Sequence, residues 1–264
     1  MIKLFKSYTS TDVMAKNRIV ASKAREYVPK QEYFVKEADK DLHTRWGVIK
    51  SADLKKPDGS GIKSSLQKDY FIFSAKFIDL YRRIRRYAQL IPLKDIGLII
   101  ANTGIDDKSV VLEAGGGSGG FSCFISRFVK QVVSYDIEEK SIEMLKDNMK
   151  YLGIKNIKIK NINIYEKIDD ENIDMVLLDL PDPEKAVANA NKALKAGGFL
   201  VIYTPQINQM QNAMNEIAKF EGFFPIKTVE LIEREWKVAG QIARPISKSS
   251  IHSGFISFVR KISK

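Results

Sequence analysis

The sequence predicts an α/β fold: a mostly parallel seven-stranded sheet with helices on both faces, preceded by a small β domain. Three observations predict it. From about residue 94 onward, short apolar runs alternate with longer helical stretches. The first of those runs ends in a glycine-rich turn. Before residue 70 the chain instead carries short β-type runs broken by polar turns.

Residues 1–72 are expected to form the small β domain. Its β-type runs are Arg18-Ile-Val, Glu32-Tyr-Phe-Val and Trp46-Gly-Val-Ile, and Pro57-Asp-Gly-Ser-Gly marks a loop. Residues 73–93 read as a basic helical linker. A helix is predicted over 74–90, with Arg82, Arg83, Arg85 and Arg86 set among Phe77, Leu80, Tyr81 and Ile84. Residues 94–264 form the main domain. Strands are predicted at 109–113, 131–135, 156–160, 174–179 and 198–203. Helices between them are expected at 118–130, 138–152, 183–195 and 206–220, with Gly197-Gly198 as the stop after 183–195. Strands joined by helical crossovers imply parallel pairing. Late β-rich runs at 225–236 and 251–260 would close the sheet as a hairpin-like pair.

Composition narrows the function. At 264 residues and 44% hydrophobic, the chain is long and apolar enough to bury a sizeable core. One cysteine, Cys123, excludes a disulfide framework and suits a reducing, cytoplasmic setting. Two histidines, His43 and His252, argue against a histidine-rich metal site, so no metal is expected. His43 reads as a turn residue of the β domain. No apolar run is long enough to span a membrane, and MIKLFKSYTS lacks a secretory core. The net charge is +11, unevenly laid out: +10 over 1–90, −5 over 91–236 and +6 over 237–264. Two basic segments flanking an acidic centre suit a polyanionic partner, nucleic acid first. A lysine-rich surface of the thermophile kind fits the same totals.

The most informative stretch is Val110-Val-Leu-Glu-Ala-Gly-Gly-Gly-Ser-Gly-Gly-Phe. A strand ends at Glu113 and a helix begins after Gly120. Glycines there permit a tight turn and close approach of a ligand to a helix N-terminus. Asp136 ends the next strand, where an acid accepts ribose hydroxyls. Gly115, Gly117 and Gly120 satisfy the dinucleotide spacing, so NAD is a rival. Glu113 directly before the turn favours a cofactor with a cationic amino end, S-adenosylmethionine, over a pyrophosphate. No Gly-Lys-Ser/Thr follows the glycines, which excludes a P-loop.

A second site lies at the end of the fourth strand. Asp174-Met-Val-Leu-Leu-Asp-Leu-Pro-Asp-Pro-Glu puts Asp179 on the same sheet edge as the glycine turn. The loop is not of the Asn-Pro-Pro-Tyr type associated with methylation of exocyclic amines. The fifth strand ends Val201-Ile-Tyr-Thr-Pro-Gln-Ile-Asn-Gln, bringing Tyr203 and Thr204 toward the crevice. Asn208 and Gln209 have the amide pattern that matches an adenine edge.

Together, Glu113 to Gly120, Val133-Ser-Tyr-Asp, Leu178-Asp-Leu-Pro-Asp-Pro-Glu and Tyr203-Thr-Pro-Gln-Ile-Asn-Gln resemble the tRNA (adenine-N1)-methyltransferases, particularly the archaeal form. His43-Thr-Arg-Trp-Gly, the Arg86 to Gln89 turn with Lys94-Asp95, Arg234-Glu-Trp, and Arg244-Pro followed by His252-Ser-Gly-Phe agree in order. The resemblance thus covers nearly the whole chain. It implies a Rossmann-like class I methyltransferase domain behind the β domain, a homotetramer, and methyl transfer to N1 of a T-loop adenine in tRNA. Glu113, Gly115, Gly117, Ser118, Gly119, Gly120 and Asp136 would hold the cofactor, and Asp179 would be the catalytic acid. Asn163 stands where the family commonly has an acid reading the cofactor adenine. Ser253 replaces a threonine, and Pro92 is displaced before Lys94. Tyr203 or Trp236 would stack on the target base, and Arg244 and His252 would lie near tRNA or a subunit interface.

Three other readings compete. One is a methyltransferase acting on protein carboxyl groups or a small molecule. Another is an NAD-dependent oxidoreductase, and the last a noncatalytic tRNA-binding subunit of a methyltransferase complex. The last has no need to keep both the glycine turn and Asp179.

Overall fold

A computed structural model describes residues 2–6, 32–87, 89–246 and 252–263. It divides into two compact units, Met1–Arg82 and Arg83–Lys264.

The first unit holds strands β1 (Ile2–Lys6), β2 (Glu32–Val35), β3 (Leu42–Thr44) and β4 (Gly47–Ile49), then a short helix α1 (Ser51–Leu54). Strands β5 (Gly61–Lys63) and β6 (Asp69–Ser74) and helix α2 (Phe77–Tyr81) follow. An antiparallel sheet runs β2-β1-β6-β5, and β3–β4 form a separate hairpin. Val35, Ile49, Leu54, Ile62, Tyr70 and Ile72 make its core. Alternation explains the choice: in β6, Tyr70 and Ile72 point inward while Phe71 and Phe73 point out. His43 lies within β3, and the Arg18 run falls outside the described residues.

The helix predicted over 74–90 is a correction. Only Phe77–Tyr81 is helical. Beyond Arg82 the backbone finds tertiary partners instead of its own helix. The Arg85 N–H donates to Asn148 Oδ1 at 2.9 Å and its carbonyl accepts from Asn148 Nδ2 at 2.8 Å. The Tyr87 N–H donates to Ser118 Oγ at 3.0 Å. Arginines 82–86 therefore share no helix face.

The second unit begins with helix α3 (Leu93–Thr103), an element beyond those predicted. Then come β7 (Val110–Ala114), α4 (Gly120–Ile125), β8 (Gln131–Asp136), α5 (Glu139–Leu152), β9 (Ile157–Asn161) and β10 (Ile173–Leu178). A 3₁₀ turn (Pro183–Ala186) leads into α6 (Val187–Ala193). Last are β11 (Leu194–Thr204), α7 (Ile207–Ile217), β12 (Phe223–Glu230), β13 (Trp236–Ala239), β14 (Ile242–Pro245) and β15 (Phe255–Lys261). The seven-stranded sheet runs β12-β15-β11-β10-β7-β8-β9. Strand β15 is antiparallel to both neighbours, so it alone opposes the common direction. The order reverses beside β7, and the C-terminal ends of β7, β8 and β10 meet there. In an open α/β sheet that is where a ligand crevice forms.

Several predicted bounds shift. The helix expected over 118–130 starts only at Gly120, because Gly119 is left-handed at φ 80° and interrupts the turn before it. The Gly197-Gly198 pair lies inside β11 rather than after a helix, and the preceding helix already stops at Ala193. The late runs do pair, as β12 with β15. Between them, however, the chain makes a further hairpin, β13–β14, carrying Trp236 and Arg244 away from the seven-stranded sheet.

Candidate active site at the strand ends

Gly115 follows β7 with φ 87°, a region open to glycine at little cost. It is also pinned by space: a Cβ there would stand 2.0 Å from the Asp179 carbonyl oxygen. Gly117 differs. Its φ is 51°, yet the nearest atom to an added Cβ is 3.9 Å away. The turn therefore packs tightly against β10 at one end and faces open space at Gly117. Asp136, ending β8, holds the turn in shape. Its Oδ2 accepts from the Gly117 N–H at 2.7 Å and its Oδ1 from the Glu138 N–H at 2.8 Å.

Two adjoining cavities open on this edge. The larger, about 560 Å³, is walled by Tyr135, Asp136, Ile137, Asn163, Tyr165 and the Asp179–Pro181 loop. The smaller, about 210 Å³, is walled by Gln89–Ile91, Glu113, Gly115–Ser118 and Asp179. Gly115 and Asp179 line both. Most of the expected cofactor residues are thus brought together: Glu113, Gly115, Gly117, Ser118, Gly120, Asp136 and Asn163. Gly119 is behind the turn, with its α-carbon against Leu145. Ser118 lines the smaller cavity but its hydroxyl is taken by the Tyr87 N–H. Asn163 Oδ1 accepts from the Tyr165 N–H at 3.1 Å, and Nδ2 donates to Glu166 at 2.8 Å.

The carboxylates set the chemistry. Burial pushes Glu113 up to about 8; the Ser122 hydroxyl it accepts from opposes the shift, and the charges of Asp179 and Asp136 add to it. Burial alone pushes Asp179 up to about 7. Among the described residues, no lysine or arginine lines either cavity. Three acids without a basic side chain among them form a site for a cationic ligand. That fits a sulfonium and an ammonium group and disfavours a pyrophosphate. Among the described residues, no group of three His, Cys, Asp or Glu is placed to hold a metal.

The expected substrate residues are not brought to these cavities. Tyr203 is buried; its hydroxyl donates to Asp95 Oδ2 at 3.4 Å and its ring packs on Gly254. Burial, followed by the Asp95 charge, holds the phenol well above its ordinary range. Asp95 also accepts from Lys94 Nζ at 2.7 Å and from Ser253 Oγ at 2.7 Å. Lys94 further reaches Leu231 O and Ser253 Oγ, both at 2.6 Å, so it ties both ends of the β13–β14 excursion to α3. His252 sits in the same base. Its Nδ1 meets Glu230 Oε1 at 2.5 Å and its Nε2 meets Pro205 O at 2.8 Å. Two acceptors favour the doubly protonated ring, and the Pro205 carbonyl and then Glu230 raise its pKa. Asn208 is exposed, and Gln209 Nε2 donates to Pro181 O at 2.9 Å. Trp236 and Arg244 stay exposed on the hairpin.

Sequence reasoning missed Asn148. It lies on the buried stripe of α5 with Ile142 and Leu145, and a polar residue at that spacing was the available signal. Its Nδ2 also donates to Ser118 O at 2.9 Å, so one side chain joins the 85–87 segment to the glycine turn.

The chain is similar to several known proteins. Over 260 residues the chain is 30% identical to tRNA (adenine(57)-N(1)/adenine(58)-N(1))-methyltransferase TrmI of Methanocaldococcus jannaschii, covering 87% of this chain and 91% of that one. It is 27% identical over 233 residues to tRNA (adenine(58)-N(1))-methyltransferase TrmI of Thermus thermophilus, covering 86% and 91%. The fold superposes on a SAM-dependent O-methyltransferase from Thermotoga maritima with TM-score 0.82 and 25% identity, covering 100% of this chain and 93% of that one. The solved tRNA (m1A58) methyltransferase TrmI of Aquifex aeolicus matches in fold with TM-score 0.75 at 21% identity, covering 89% and 94%. Residues 82–253 match the family described as tRNA methyltransferase complex GCD14 subunit. The chain, with its Rossmann-like methyltransferase fold, belongs to that family of tRNA methyltransferases.

Proposed function

We propose that this protein transfers a methyl group from S-adenosylmethionine to N1 of a T-loop adenine in tRNA. The observation that carries the reading is the placement of Asp179. It borders both cavities at the C-terminal sheet edge, beside a glycine cradle and two further acids.

The larger cavity suits the adenosine, where Asp136 would hold the ribose and Asn163 would face the adenine. The smaller suits the amino-acid end, facing Glu113. When bound, the cofactor supplies an electrophilic methyl group on a cationic sulfur. The chain's own residues supply alignment. Adenine N1 already carries a lone pair, so in-line placement is the main requirement. Asp179 then stabilises the positive charge that methylation leaves on the ring, or accepts a proton from the exocyclic amine. N1 lies on the Watson–Crick edge, so the base must be turned out of the folded tRNA to reach it. With Tyr203 buried, Trp236 is the exposed aromatic left among the residues expected to stack.

The basic segments at 1–90 and 237–264 would grip tRNA phosphates, Arg244 among them. A homotetramer is the assembly the family resemblance implies, and exposed apolar residues on the edge strand β12, Phe224 at 59% and Ile226 at 46%, support self-association of some kind. The buried free thiol of Cys123 suits work in the reducing cytoplasm. Wild-type protein given unmodified tRNA and methyl-labelled cofactor should label the tRNA. Asp179→Ala should not, while still binding S-adenosylhomocysteine. Methyl acceptance by a protein carboxyl or a small hydroxyl compound, with tRNA unlabelled, would favour the reading suggested by the Thermotoga O-methyltransferase.

A further inference from the structure

We propose that Gln209 is a positioning residue for the methyl-transfer step, holding the Asp179 loop through the carbonyl of Pro181. The inference rests on the assignment of Asp179 above.

Strand β10 ends at Leu178, and the next backbone steps form one wall of both cavities. The Asp179 N–H still donates to Ala114 O at 3.0 Å. Two residues later Pro181 has no N–H to give, so the ladder with β7 cannot continue. From there the loop depends on side chains. The Asp182 N–H donates to the Tyr165 hydroxyl at 3.3 Å. The Pro181 carbonyl accepts from Gln209 Nε2 at 2.9 Å. Gln209 comes from the first turn of α7, which follows β11, the strand on the other side of β10 from β7. Tyr165 and Gln209 thus take hold of the N–H and the carbonyl of one peptide group, the one joining Pro181 to Asp182, from different parts of the chain.

The orientation of the Gln209 amide is settled by its partner. A carbonyl needs a donor, so nitrogen faces Pro181 and oxygen faces away. That Oε1 is buried and has no hydrogen-bond partner among the described residues. A buried, unpaired acceptor costs stability. A leucine or methionine would avoid the cost and still pack. What only the amide supplies is the bond to the loop that carries Asp179. The Asp179 carbonyl is meanwhile pressed onto Gly115, so the loop has little room to shift toward the glycine turn. The Gln209 bond restrains it from the opposite side. A loop left free there would carry Asp179 off the line to the acceptor nitrogen, and small misplacements are costly in transfer reactions.

The test uses the full-length protein, unmodified tRNA and S-adenosylmethionine. Gln209→Met keeps the length and loses the donor. Gln209→Glu keeps the shape and sets a carboxylate against the carbonyl. For both, kcat should fall about tenfold or more, with KM for tRNA and Kd for S-adenosylhomocysteine within about twofold. Gln211→Met, on the exposed side of the same helix, should leave all three unchanged. Asp179→Ala is run alongside. If both Gln209 variants keep the wild-type kcat while Asp179→Ala is inactive, the positioning role is overturned and the site reading stands. If KM for tRNA rises while kcat holds, Gln209 contacts the substrate directly and the proposal is again overturned. If Asp179→Ala itself keeps the wild-type rate, the assignment of Asp179 fails and the proposal with it.

Discussion

The Asp179 carbonyl oxygen and the Gly115 α-carbon are packed so closely that no side chain fits between them: a Cβ would stand 2.0 Å away. The cofactor turn and the loop of the proposed catalytic acid are therefore one mechanical unit. Gly115→Ala adds that clash to a φ of 87°. It should destabilise the protein by ~2 kcal/mol or more and cut methyl transfer by ~100-fold or more. Gly117→Ala meets no such clash, and should weaken S-adenosylhomocysteine binding with a smaller change in melting temperature. Thermal melts and ligand titration of the two variants check this.

Glu113 should make the ligand-free protein less stable in alkali. Its pKa is raised on folding, from 4.5 to about 8, so the folded state binds more protons than the unfolded state across that window. Stability must then fall as pH rises through it, and Asp179 adds to the trend between 3.8 and about 7. Glu113→Gln should flatten the decline, recovering of order 3 kcal/mol at pH 9. The same variant should bind S-adenosylhomocysteine more weakly, since it removes the charge facing the ammonium group. Urea titrations at pH 5, 7 and 9 read the slope.

Asn148 should matter more than its distance from the chemistry suggests. Its amide carries hydrogen bonds to Arg85 N, Arg85 O and Ser118 O. Asn148→Ala should cost roughly 2–4 kcal/mol, because three backbone groups lose their partner. It should also loosen the wall of the smaller cavity, where Leu90 packs on Gly120. The expected readout is a lower melting temperature together with weaker cofactor binding.

The charge layout predicts opposite salt responses for the two ligands. Raising salt from about 50 to about 200 mM should weaken tRNA binding by ~100-fold or more, as for a surface making several phosphate contacts. S-adenosylhomocysteine binding should change by less than about twofold, because its partners line cavities without basic side chains. Filter binding and calorimetry across the salt series separate the two.

The parts of the site that were legible in the sequence are those fixed by local rules. Asp136 and Asp179 end apolar strands, and a strand's end in a parallel sheet predicts its edge. Glu113 and the glycines occupy one continuous turn. The parts that were not legible depend on partners far along the chain. Arg82 to Arg86 have good helical spacing, but the backbone at Arg85 and Tyr87 is drawn off by Asn148 and Ser118, 63 and 31 residues away. Tyr203 reaches the strand end as expected, yet Asp95 and Gly254 enclose it. His252 reads from the tail motif as a residue near tRNA or a subunit interface, and its neighbour Ser253 only as a replaced threonine. In the fold they close the base of the β13–β14 hairpin, a pairing that short strands with mixed polarity do not announce.

The central claim is that the methyl group goes to N1 of a tRNA adenine. It is tested most directly by incubating the protein with unmodified tRNA and methyl-labelled S-adenosylmethionine, digesting the RNA to nucleosides and separating them. The account predicts label in N1-methyladenosine, derived from the T-loop fragment. Label in any other nucleoside, or none in the RNA, would contradict it.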